Sequence, residues 1–331
     1  MDRYRMMFDY LLALPAIQAW PEAQALLTRI GERKPYYWQL PLMACQAVGG
    51  DEQIAIPGMA ATACLHTAIL LIDDMLDADP RGEYQRLGAP ATANLASALQ
   101  AAGLEAITQS EAKAEIKLPV LVRLNQMMLA TSLGQGWDVQ NPQDEASYWR
   151  VIATKSAPFF GTALYIGALL GGAGETRSAQ LYQFGALYGE MIQLHDDLGD
   201  VMEQPANPDW TMGRSPLPIL FAETVQHPAR QRFLALRQTI AAPFALEEAQ
   251  TILIHCGAIS YTVDQLLRRA RQAQTILAQL ALAHQAPMGE LLNSVVTPLA
   301  QLLTTAGVSQ PEAVLMSLPF PQFASPQLDP V

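Results

Sequence analysis

Apolar residues recur at three- and four-residue intervals through residues 112–140, 145–172, 176–203 and 258–286, the spacing that lines one face of an α-helix. Alternating β-branched runs bounded by turn signals are almost absent, which leaves little for a sheet. The pattern therefore predicts an all-α chain, a single large helical bundle of about ten or more helices. Gly49-Gly50, Gly171-Gly172, the Pro205 to Pro208 stretch and Pro243 read as connections, because glycine and proline interrupt regular structure. Nothing resembles a long flexible linker, so residues 1–317 are expected to form one domain. Residues 318–331 hold four prolines and little periodicity, and are expected to wrap the surface or stay disordered.

One segment tests the bundle reading. Ile54 to Ile72 reads IAIPGMAATACLHTAILLI, long enough to span a bilayer. It contains Pro57 and His66 and runs directly into three acids. Several other segments are similarly apolar and can surround it, so a buried core helix is expected and no transmembrane span.

Composition supports a packed enzyme-sized domain. Half of the 331 residues are hydrophobic and 15% are charged, enough apolar material for a large core. A formal charge of −11 argues against a nucleic-acid partner, which needs clustered Lys and Arg to neutralise phosphates. Three scattered cysteines, Cys45, Cys64 and Cys256, fit neither a disulfide framework nor a short-spaced zinc site. The N-terminal MDRYRMMFDYLLALP carries charges inside its apolar stretch, unlike a secretory signal. A cytoplasmic location is the expectation.

The candidate chemistry lies in two acidic clusters of the form Asp-Asp-x-x-Asp: Asp73, Asp74 and Asp77, then Asp196, Asp197 and Asp200. On a helix, residues four apart share a face, so each cluster gathers carboxylates that repel one another unless a cation intervenes. Carboxylate oxygens suit Mg²⁺, which keeps several waters and completes its octahedron with substrate phosphate oxygens. One such cluster is common on a solvated helix face. Two copies, each following a strongly apolar segment, point instead to two buried helices facing a central cavity that takes cations and a diphosphate. Lys155 and Arg214 are the basic residues placed to hold phosphate oxygens.

Four ordered segments carry a family resemblance across residues 30 to 225. HTAILLIDDMLD and QLHDDLGD resemble the two aspartate-rich motifs of trans-type isoprenyl (polyprenyl) diphosphate synthases. GQGWDV at Gly134 to Val139 and ATKSA at Ala153 to Ala157 resemble the family's Gly-Gln-x-x-Asp and Lys-Thr segments. The resemblance implies an isoprenoid synthase fold and a homodimer. It implies that Asp73, Asp74, Asp77, Asp196, Asp197 and Asp200 bind about three Mg²⁺ around an allylic diphosphate. It further implies that Lys155 and Arg214 grip that diphosphate with Gln193 nearby, and that Arg33, Lys34, His66 and Arg81 hold isopentenyl diphosphate. The implied reaction is head-to-tail condensation after ionisation, with Asp73, Asp74, Lys155 and Asp196 carrying the chemistry.

The chain also departs from the family pattern. GERKPYYWQL keeps a basic pair and a proline in place of Gly-Gly-Lys-Arg-x-Arg-Pro, and DADPRGE offers Arg81 where two adjacent arginines are usual. The loop after Asp200 is contracted, and Arg214 stands where a lysine is usual. These changes fall mostly on the isopentenyl side. Two alternatives therefore stay open: a class I terpene cyclase acting on one allylic diphosphate, or a non-catalytic partner subunit. Phe159, Phe160, Tyr165, Phe184 and Tyr188 are the aromatics available to a cyclase, although rings also fill ordinary cores. The residues five and four before the first aspartate, which form the product floor in the family, are Ala68 and Ile69. Without an aromatic plug, a product of twenty carbons or longer is expected.

Overall fold

The computed structural model describes residues 2–299, and no strand occurs among them. The predicted tail from Leu318 lies outside the described residues. The chain divides into two compact units, Met1–Gln193 and Leu194–Val331.

The first unit contains α1 (Arg3–Ala13), α2 (Pro15–Gln18), α3 (Pro21–Gly31), α4 (Leu40–Ala47), α5 (Glu52–Leu76), α6 (Tyr84–Leu87), α7 (Ala89–Thr108), α8 (Ala114–Asp138), α9 (Glu145–Lys155) and α10 (Ala157–Leu170). A 3₁₀ turn, Tyr36–Gln39, precedes α4. The long α11 (Glu175–Met202) begins in this unit and ends in the second. There follow α12 (Pro208–Thr211), α13 (Leu217–Thr224), α14 (Arg230–Arg237), α15 (Pro243–His255), α16 (Ala258–Gln279) and α17 (Ala286–Val296).

The apolar segment that resembles a membrane span is α5, and 72% of its most apolar window is buried inside the protein. It packs against α1, α4, α7 and α10. Asp51 starts it by accepting a hydrogen bond from Gln53 N–H at 2.8 Å, an N-terminal cap. Within it, the hydroxyls of Thr62 and Thr67 donate to the carbonyls of Gly58 and Ala63, which satisfies polar atoms that have no water. Every residue of α10 is buried, as a helix apolar on all sides requires. Its Gly167 sits against α4 so closely that a Cβ would fall 2.1 Å from the Pro41 carbonyl oxygen. In the second unit α16 packs against α13, α15 and α17. Gln250 of α15 donates to the carbonyls of Val201 and Glu203 at 3.1 Å, satisfying acceptors that the end of α11 leaves open.

The periodicity of residues 145–172 runs through a break at Ser156. Pro158 has no N–H for the helical ladder and its ring crowds the carbonyl four residues back, so α9 stops and α10 begins with proline in its first turn. The candidate cation Lys155 thereby becomes the last residue of a helix.

Candidate functional site

The first acidic cluster closes α5. Asp73 and Asp74 lie in its last turn and Asp77 is the C-cap, with its N–H donating to the Asp73 carbonyl at 2.8 Å. A helix C-terminus adds partial negative charge to the three carboxylates. Burial, followed by the charges of Asp79, Asp73 and Asp77, pushes Asp74 up to about 6. Burial also raises Asp73 above the ordinary carboxylate range; Lys155 pulls it down and Asp77 and Asp138 add to the rise.

Lys155 is the counter-charge. Its Nζ lies 3.0 Å from Asp73 Oδ1 and 2.5 Å from Asp138 Oδ2, with the side chain 18% exposed. The contact to Asp73 is an ion pair. Burial works against the ammonium, yet Asp73 and Asp138 together hold its pKa above the usual lysine range, and Lys155 is fully charged at neutral pH. Gly134 makes the arrangement possible: a Cβ there would lie 2.4 Å from the Lys155 backbone nitrogen, so only glycine lets α8 carry Asp138 against the end of α9. Next in sequence, Ser156 Oγ donates to Gln193 Oε1 at 3.0 Å, which brings the predicted glutamine against the residue that follows Lys155.

His66 sits in an aromatic box. Its ring stacks on Phe159 with centroids 5.1 Å apart and meets Tyr37 edge-on. Trp38 Nε1–H donates to His66 Nδ1 at 3.2 Å. Indole nitrogen is a donor only, so the imidazole proton resides on Nε2. Burial lowers the pKa to about 4, leaving a neutral ring with one N–H to offer. Phe159 and Phe160 pair at 5.2 Å, and Phe160 pairs with Tyr188 at 5.4 Å. These rings, with Phe184 and Tyr165, are buried core residues.

The other basic residues predicted in this unit lie on exposed positions. Arg81 is 80% exposed and forks onto Asp79 at 3.1 and 3.0 Å. Lys34 is exposed, has a positive φ of 46° and pairs with Asp2 at 3.2 Å. Arg33 is exposed. Ala68 is fully buried, whereas Ile69 keeps a partly open surface.

The second cluster lies in the last turns of α11. Asp196 keeps an open face to solvent, but the protein around it, then Asp200 and Asp197, push its carboxyl up to about 7. Asp197 is buried, and its Oδ2 accepts the Leu217 N–H at 2.8 Å, fastening the first turn of α13. Asp200 Oδ1 accepts from Asn207 Nδ2 at 3.0 Å. Arg214 follows α12; its Nε lies 4.0 Å from Asp209 Oδ1. Its loop turns at Gly213, where φ is 74°, a value glycine adopts without strain.

Three residues that shape these surroundings were not singled out by the sequence reasoning. Asp138 lay inside the quoted GQGWDV, yet its tie to Lys155 depends on the α8–α9 approach. Trp38 and Arg237 carry no motif and become visible only through their contacts.

Among the described residues, no group of three or more His, Cys, Asp or Glu side chains forms a metal cage by itself. This donor set fits Mg²⁺, which is held by one or two carboxylates with water and substrate phosphate completing the shell.

The chain is 27% identical over 256 residues to a short chain isoprenyl diphosphate synthase of Methanothermobacter thermautotrophicus, covering 73% of this chain and 78% of that one. It is 28% identical over 278 residues to a geranylfarnesyl diphosphate synthase of Aeropyrum pernix, covering 77% and 85%. The fold matches that of a geranylgeranyl pyrophosphate synthetase from Geoglobus acetivorans with a TM-score of 0.75 at 22% identity, covering 89% of this chain and 96% of that one. Residues 38–253 match the polyprenyl synthetase family model, a span that includes both aspartate clusters and Lys155, and the chain belongs to that family.

Proposed function

We propose that this protein is a prenyltransferase that ionises an allylic prenyl diphosphate and condenses it head-to-tail with isopentenyl diphosphate. The observation that carries the reading is Lys155, a half-buried ammonium held by Asp73 and Asp138 at the end of the first aspartate cluster. In a family whose relatives carry prenyl diphosphate synthase names, a fixed cation beside clustered carboxylates is what a diphosphate and its metals require.

About three Mg²⁺ ions supply the Lewis acidity that offsets charge developing on a departing diphosphate. Asp73, Asp74 and Asp77 are the residues that would hold metal in the first unit, and Asp196, Asp197 and Asp200 those in the second. Lys155 and Arg214 bind diphosphate oxygens, and Gln193 steadies the Lys155 region through Ser156. The allylic carbon–oxygen bond breaks and its electron pair leaves with the diphosphate. The isopentenyl double bond then forms the new carbon–carbon bond, and a proton passes to the released diphosphate.

His66 donates its Nε2–H to isopentenyl diphosphate as a neutral group. Arg33, Lys34 and Arg81 supply the charge. Lys34 and Arg81 are themselves exposed, and surface ion pairs such as theirs are worth about 0–1 kcal/mol. Ile69, with Ala68 behind it, forms the product floor, and the product has twenty carbons or more. Free cysteines at positions 45, 64 and 256 suit a reducing cytoplasm.

The test is diphosphate release from farnesyl diphosphate with isopentenyl diphosphate and Mg²⁺. The wild type is expected to turn over, and Lys155→Ala to lose about 100-fold or more. Wild-type rates in Lys155→Ala would remove the basis of the proposal.

A further inference from the structure

The segment between α12 and α13, which carries Arg214, converges on one guanidinium from α14. Arg237 has a side chain only 8% exposed. Its Nε donates to Glu223 Oε1 at 3.0 Å, Nη1 to the Trp210 carbonyl at 3.2 Å and Nη2 to the Arg214 carbonyl at 2.8 Å. The guanidinium carbon lies 5.4 Å from the centre of the Trp210 ring, within cation–π range. Glu223 also accepts from Ser215 Oγ at 3.2 Å, closing a ring of contacts around the loop.

An arginine presents five donors in a rigid planar fork, and here it spends three directions on one carboxylate and two main-chain carbonyls. Neither carbonyl is a charged partner. A buried cation directed at the backbone of a loop fixes the loop's path, and one of the two carbonyls belongs to Arg214 itself. Arg214 has a long side chain that loses rotamer freedom when it grips a ligand. A backbone already held in place means that only the side chain must be ordered on binding.

We propose that Arg237 is a positioning residue for diphosphate recognition: it holds the Trp210–Ser215 backbone so that Arg214 meets the substrate diphosphate pre-ordered. This rests on the reading of Arg214 as a diphosphate-binding residue. Removing Arg237 should therefore act on substrate binding through Arg214, beyond any loss of stability.

The experiment uses the full chain and compares Arg214→Ala, Arg237→Ala, Arg237→Lys and the Arg214→Ala/Arg237→Ala double variant. KM and kcat for farnesyl diphosphate are measured at saturating isopentenyl diphosphate and Mg²⁺, with Tm followed separately. Arg214→Ala is expected to raise KM about tenfold with Tm unchanged, the worth of a charged hydrogen bond. Arg237→Ala raises KM by a similar factor and lowers Tm. Arg237→Lys keeps the charge and the fold but not the fork, and raises KM severalfold. The double variant shows the KM of Arg214→Ala alone, because the two residues act as a unit.

If Arg214→Ala raises KM while both Arg237 variants keep the wild-type KM, Arg237 merely stabilises the fold and the proposal is overturned. Multiplicative KM effects in the double variant overturn it as well. A wild-type KM in Arg214→Ala identifies the fault as the diphosphate reading of Arg214, and the positioning role falls with it. Should Arg237→Ala fail to fold, the KM of Arg237→Lys decides.

Discussion

Lys155 illustrates how one residue ties stability to chemistry. It neutralises two carboxylates from different helices, so removing it leaves the half-buried Asp73 and Asp138 without a counter-charge. Lys155→Ala is expected to cost about 2 kcal/mol of stability as well as turnover. Asp73→Asn differs in kind: Lys155 keeps Asp138, and a repulsion with Asp77 is relieved. Stability should stay within about 1 kcal/mol while turnover falls. Urea unfolding midpoints and diphosphate release on the same preparations separate the two effects; equal stability losses in both variants would contradict this division. His66 yields a prediction of its own. Its folded pKa of about 4 lies below the unfolded value of 6.5, so between those values the unfolded state binds the extra proton. Stability is present above pH 6.5 and is lost as pH falls toward 4, by up to about 3 kcal/mol. His66→Phe should flatten that limb of the stability profile; an unchanged limb would mean that other groups cause it. The aspartates and Lys155 were legible as residue types in motifs, and His66 by its offset from Asp73. The tautomer of His66 was not, because it depends on Trp38, and no motif marks that residue.

At the scale of the helix, apolar spacing located α5, α8, α11 and α16 but neither α7 nor α15, and did not show where two of its stretches break. Residues 145–172 and 258–286 each read as continuous, because the apolar face continues across the interruption. The first breaks at Pro158. In the second, α16 ends at Gln279, Leu280 turns to an extended backbone, and α17 restarts with proline in its first turn. Close helix approach was equally illegible. Gly134 appears in the sequence as part of GQGWDV, but its purpose is the backbone contact with Lys155. Gly134→Ala forces α8 from α9 and is expected to destabilise the protein by about 2 kcal/mol while loosening the Asp138–Lys155 pair. A matching gain of stability, as expected for an ordinary mid-helix Gly→Ala change, would show that the two helices do not meet there. At the product floor, Ile69→Phe is the informative change because Ile69 borders open space, whereas Ala68 is enclosed and a large ring there must displace core. Ile69→Phe should shorten the product, and unchanged chain length would place the floor elsewhere.

For the whole molecule, the sequence carried the all-α class and the family, because the helical period and four ordered motifs are local features. The surface of α8 offers a candidate face for the expected homodimer. Leu118, Val122, Leu129 and Leu133 recur at helical spacing and are 47–66% exposed, an apolar stripe of the kind that marks an interface. A homodimer buried on this stripe is the expected state, and Leu129→Glu should shift sedimentation toward a monomer; a monomeric wild type would contradict it. The acidic clusters predict metal dependence. Mg²⁺ with inorganic diphosphate at saturating excess should raise Tm by roughly 5 °C; chelation or Asp196→Ala should remove the rise. The central claim, condensation of two diphosphates, is tested most directly by product analysis after incubation with Mg²⁺ and farnesyl diphosphate, with and without isopentenyl diphosphate. The account predicts prenyl diphosphates of twenty carbons or more that form only when isopentenyl diphosphate is present. Hydrocarbon or prenyl alcohol formed from farnesyl diphosphate alone would contradict it and identify a cyclase.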